Sequence, residues 1–230
     1  MSARVPPRRS PSCSPLGPRA VALACALGVA SVAGASRAED AQTDAWDGDY
    51  GKRAKVRSDF FLGGGLGVLA GQASGYPNEI GKIDVPEFEA STGAGFGSSM
   101  SLWLGGALTD WFVFAFGATT GGISGGGYAA GGAAFVLRVE AFPFIARSGA
   151  LRELGFQSSF GIGTLTIEKG GDTAAEGGGM SYVSAGAFHE SWRPGTFALG
   201  PSVDWVHLWS LTATEHVAQV GLRVAYTTGP

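Results

Sequence analysis

The chain has 230 residues, 39 of them glycine, and a formal net charge of −3. Five of its sixteen basic residues and none of its acidic ones fall within the first 38 positions, so the remainder carries eleven basic against nineteen acidic residues, a net charge of −8. That balance argues against a nucleic-acid partner. Both cysteines, Cys13 and Cys25, also lie in the first stretch, which leaves the rest without a disulfide, a thiolate metal site or a cysteine nucleophile.

Residues 1–38 read as a secretory signal peptide. Arg4, Arg8, Arg9 and Arg19 form a basic leader, Ala20 to Ala35 is apolar, and Ser36-Arg37-Ala38 supplies small residues for cleavage before Glu39. The sixteen apolar residues fall short of the roughly 20 that a spanning helix needs. Residues 39–57 are polar, mixed in charge and without a period of either kind, and read as a flexible N-terminal tail.

From residue 58 the pattern is of strands. The first, Asp59 to Ala70, alternates Phe60, Leu62, Leu66, Val68 and Ala70 with Gly63, Gly65 and Gly67. A polar connection from Gly71 to Glu87 leads to a second strand starting near Phe88. That strand meets the third at a turn expected at Thr109-Asp110, with Phe112, Phe114 and Phe116 on one face and Trp103 and Trp111 on the other. A glycine-rich connection, Gly121 to Gly127, precedes strand four, Tyr128 to Phe142. After a turn region, Pro143 to Arg152, strand five runs from Leu154 to Ile167. A polar loop from Glu168 to Gly179 separates it from strand six, Met180 to Trp192. Arg193-Pro194-Gly195-Thr196 is a tight turn into strand seven, Phe197 to Trp209, where Pro201 sits badly because it cannot donate to a ladder. A loop through Thr212 to Glu215 leads to strand eight, His216 to Tyr226.

Eight long strands, with one bulky apolar face and one face of glycine, alanine and serine, do not suit a soluble sandwich. The connections alternate between polar or glycine-rich loops and short turns, with the first and third of the former long. The expected fold is all-β: an eight-stranded antiparallel up-and-down transmembrane β-barrel over residues 58–230. A soluble periplasmic carrier is the competing architecture.

The end of the chain carries a further signal. Gln219, Gly221, Val224 and Tyr226, within Gln219 to Tyr226, match a polar–any–Gly–any–any–apolar–any–aromatic pattern. It resembles the C-terminal insertion signal of bacterial outer-membrane barrels, and the chain from Ser58 onward resembles the small OmpA/OmpX/OmpW kind. The resemblance implies residence in the bacterial outer membrane, contact with its lipid and handling by the barrel-assembly machinery, with the barrel expected to be a monomer. Thr227 to Pro230 extend past the aromatic residue at which many members stop.

Five polar residues fall on inward positions: Arg138, Glu140, Gln157, Asp204 and Arg223. An eight-stranded barrel has an interior that side chains just fill, so these are expected to pair with one another and plug the lumen. The other reading is a charged constriction in a narrow pore, with small inward residues leaving room near the outer end. His189 and Ser191 share a face and resemble the His-x-Ser of outer-membrane lipid A 3-O-deacylases, a histidine activating a serine. Their place beside the Arg193 turn puts them at the wrong end for outer-leaflet lipid. His207 and His216 read as surface histidines. No catalytic residue, cofactor or metal site is assigned. The expected role is non-enzymatic: structural, surface-interacting, or passing a small solute.

Overall fold

A computed structural model describes residues 59–228; residues 1–58, where the signal peptide and tail are expected, and the last two residues lie outside the described residues. Within them the long strands are β1 (Asp59–Gly75), β3 (Gly95–Thr109), β4 (Phe112–Gly125), β5 (Tyr128–Ala141), β6 (Leu154–Lys169), β7 (Asp172–His189), β8 (Phe197–Trp209) and β9 (Ala213–Thr227). A two-residue β2 (Ala90–Ser91) pairs with the end of β1. Each long strand runs antiparallel to the next, and β9 returns to β1 in a register from Phe61–Thr227 to Gly75–Ala213. The wall is therefore a closed eight-stranded antiparallel barrel, with no open edge between first and last strands.

The alternation read from the sequence divides inside from outside. Leu62, Leu66, Leu102, Phe116, Phe135, Phe160, Ile162, Val220 and Leu222 are all exposed on the outer surface. Along the strands the outward positions carry no charged residue until Glu168 and Glu176, at the far end of the β6–β7 hairpin. From Phe60 to Ala70 the outward row of β1 covers about 33 Å of strand, or roughly 25 Å of height at the tilt that closed barrels adopt. No helix among the described residues is long and apolar enough to cross a membrane. An uncharged apolar belt of this height suits hydrocarbon rather than water.

Several expected boundaries move, each for a physical reason. The connection placed at Gly121–Gly127 is mostly strand: β4 continues to Gly125 and turns through Gly126-Gly127 alone. Likewise the loop placed at Glu168–Gly179 is the tip of a hairpin turning at Gly170-Gly171, where both φ values are positive (62° and 96°). Two successive left-handed residues match the twist of a two-residue hairpin turn, so polar, glycine-rich composition here marks turn chemistry rather than loop length. Beyond it, β7 carries an extra residue between Gly177 and Met180 opposite Gly163–Leu165, which moves its inward positions from odd (Ala175, Gly177) to even (Met180, Tyr182). The expected alternation of two long outer loops with short turns is accordingly not found. One long outer connection, residues 76–94, stands beside three tight ones.

Three further corrections concern single residues. The second long strand begins at Gly95 rather than near Phe88, because Pro86–Phe88 forms a 3-10 turn. The hairpin turns at Asp110-Trp111 instead of Thr109-Asp110, with a register shift between Ala107 and Thr109. Trp111 is thereby carried out of the lumen to 51% exposure, while Trp103 is inside at 4%. Pro201 is tolerated because the β7 ladder ends one residue away, at Phe188–Ser202.

Candidate functional site

The lumen is filled in layers. At the end where β1 begins and β9 ends, Phe61, Trp103, Val113, Phe142 and Phe188 pack as one buried apolar cluster. Toward the opposite end Leu69, Ile123, Leu165, Ile167, Met180 and Leu208 belong to a second. The expected room near the outer end is taken by these larger side chains, and what remains there is small.

Between the clusters lies a polar layer, and it brings together all five inward polar residues read from the sequence. The Arg223 guanidinium donates through Nη1 and Nη2 to the two oxygens of Glu140, at 2.9 and 3.0 Å. Arg138 Nε donates to Glu140 Oε1 at 2.7 Å, and its Nη2 donates to Gln157 Oε1. Gln157 in turn donates through Nε2 to Asp204 Oδ1. All five are buried. Two-point pairing fixes the orientation of a guanidinium as well as its charge. Each cation also lies over a ring: Arg138 is 4.0 Å from the Trp103 centroid and Arg223 3.7 Å from that of Phe188. Space for these long side chains comes from glycine on neighbouring strands. Arg223 is paired with Gly65 on β1 and Gly200 on β8, and Asp204 with Gly186 on β7.

Sequence reasoning left out the remainder of this network. Glu190, just past β7, is buried and approaches Arg223 Nη2 at 3.4 Å and Arg193 Nε at 3.6 Å. Arg193 Nη1 reaches Glu153 at 3.2 Å, and Arg152 flanks that carboxylate at 3.9 Å. The ion pairs thus run from the middle of the lumen to the rim where β5–β6 and β7–β8 connect. The parity of β7 held the clue, because Glu190 continues the inward row of Ser184, Gly186 and Phe188.

Ser191 and His189 do touch. The Ala150 carbonyl lies 2.8 Å from His189 Nε2 and can only accept, so that nitrogen carries the proton and Nδ1 accepts from the Ser191 hydroxyl at 2.9 Å. A backbone carbonyl stands where a carboxylate would orient a catalytic base, and Glu190 between them is committed to the lumen. His207 and His216 face outward across the β8–β9 ladder, their rings stacked at 4.1 Å in line with Trp205 and Trp209. No group of three or more histidine, cysteine or acidic side chains suited to a metal ion occurs among the described residues.

The four residues of the C-terminal pattern lie on β9 at the seam with β1. Val224 and Tyr226 face outward, with Tyr226 packed on Phe197 at 5.1 Å between ring centroids, and Gln219 and Gly221 face inward. A Cβ on Gly221 would lie 2.3 Å from the Leu66 carbonyl oxygen, so the close approach of the closing strand requires glycine there.

No family model matches the chain, and no curated protein matches it. Among solved structures it is similar to Neisserial surface protein A (10% identity, 73% of this chain and 96% of that one, TM-score 0.49). It is also similar to the attachment invasion locus protein Ail of Yersinia pestis (8%, 73% and 99%, TM-score 0.45). A third is the outer membrane protein OprG of Pseudomonas aeruginosa (10%, 75% and 97%, TM-score 0.38). Likeness at this level carries no functional argument, and the fold rests on the strand register described above.

Proposed function

We propose that this chain is a closed, non-enzymatic barrel of the bacterial outer membrane, one that acts through its outer surface and passes no solute. The uncharged apolar belt supports the membrane placement, together with the leader read in residues 1–38 and the β9 pattern that would engage the barrel-assembly machinery. One observation carries the closed state: a layer of paired ions lies between two packed apolar clusters. A conducting lumen needs a continuous wet path. Here two spaces among the inward polar residues measure about 30 and 40 Å³, enough for a few waters each.

The surface available for interaction is the 76–94 connection, which carries Glu79, Asp84, Glu87 and Glu89 against Lys82 and holds Ile80 fully out to solvent. A monomer needs nothing more to close its sheet. Planar-bilayer recording tests the reading. The refolded barrel is expected to give no conductance steps, and single-channel steps in physiological salt would overturn the closed state.

A further inference from the structure

Two polar groups in the outer half of the lumen stand apart from the ion-pair layer. Glu215 on β9 faces inward at 6% exposure, and neither a hydrogen bond nor an ion pair reaches its carboxylate among the described residues. The Ser99 hydroxyl on β3 is buried and likewise has no partner there. Both line the same cavity of about 40 Å³, together with Thr119, Tyr182 and Gln219.

Charge balance makes Glu215 more than a stray acid. Arg138, Arg152, Arg193 and Arg223 are matched by Glu140, Glu153, Glu190 and Asp204 along the connected network. Glu215 is therefore one negative charge in excess, in a place where an uncompensated ion is unfavourable. A bound proton or a bound cation would neutralise it. A proton would neutralise the charge but gather no donors, leaving water in the cavity to satisfy the Ser99 hydroxyl. A cation would use it, with the Tyr182 hydroxyl and the Gln219 amide oxygen, as an all-oxygen donor set of the kind hard cations take.

We propose that Glu215, Ser99, Tyr182 and Gln219 form an intraluminal site for a small hard cation. A single carboxylate among neutral oxygens balances one unit of charge, so the occupant is monovalent, sodium or potassium. The cavity has room for that ion with a water or two. The site stands independently of what the outer surface engages, so its failure leaves the closed-barrel reading untouched.

The test uses the whole barrel in detergent micelles, with thermal unfolding followed in choline chloride and then in sodium, potassium or calcium chloride at equal ionic strength. The wild type is expected to gain several degrees, saturably, with sodium or potassium. Glu215→Gln is expected to lose the response, and Ser99→Ala to need several-fold more salt. Unfolding that is the same in every salt, or a response that survives in Glu215→Gln, overturns the site. Stabilisation by calcium alone overturns the monovalent assignment. Sodium-23 line broadening on the wild type needs no variant: saturation at one ion per barrel, or its suppression by potassium, supports the site, and no broadening together with no potassium response in unfolding overturns it. A protonated carboxylic-acid infrared band at neutral pH in sodium that disappears in Glu215→Gln also overturns it.

Discussion

The arginine at position 223 shows what a buried charge contributes in a lumen this narrow. It is satisfied on one side by both oxygens of Glu140 and on its face by the Phe188 ring. Removing Arg223 takes the two-point partner from Glu140 and one partner from Glu190, leaving them to Arg138 and Arg193, and loss of one member of a buried pair destabilises by about 3 kcal/mol or more. Arg223→Met is therefore expected to lower stability by that amount in urea unfolding followed by tryptophan fluorescence. Adding Glu140→Met should not recover the loss, because Arg138 then loses its carboxylate partner as well. Arg152→Ala, at a half-exposed pair 3.9 Å apart, should change stability by less than about 1 kcal/mol. The inward position of Arg138, Glu140, Gln157, Asp204 and Arg223 was legible because side chains on a strand alternate strictly. Their pairing was not legible, because it joins strands far apart in the chain.

Among the elements, β1 and β3 show why the glycines are so numerous. The inward row of β1 must pass the Trp103 indole on β3, and a Cβ on Gly63 would lie 2.3 Å from that ring. Gly63→Ala is expected to displace the indole, with a loss of about 1–3 kcal/mol from overpacking and a change in tryptophan emission. Gly64→Ala, on the outward side where the tip of Leu102 lies at 3.1 Å and the Ser101 carbonyl oxygen at 3.3 Å, should cost less and leave tryptophan emission unchanged. The same elements mark the limit of composition as a guide. Glycine-rich stretches at Gly121–Gly127 and Glu168–Gly179 read as loops, yet most of those residues continue strands. Glycine serves there as a wall residue as well as a turn residue, and a sequence window does not separate the two uses. Trp111 was misplaced for a related reason, since a turn displaced by one residue carries its neighbour out of the alternating row.

For the molecule as a whole, the decisive surface is the outside. Phe135 is 74% exposed on β5, near the middle of the apolar belt. In a bilayer, Phe135→Arg is expected to destabilise the barrel by about 2–4 kcal/mol and to reduce the heat-modifiable form on gels. Ile80→Arg, on the outer connection, should leave both unchanged. Equal tolerance of the two substitutions would remove the case for a membrane. By itself the sequence determined, outside the Trp111 turn and the β7 bulge, which side chains face in and which face out, along with the number of long strands, because strand parity is a local property of the backbone and an uncharged bulky face has one suitable solvent. Only the tertiary structure decided which charges meet, where the hairpins turn and that the lumen is filled. Those depend on register and stagger between strands, and parity is the same after every two-residue slip.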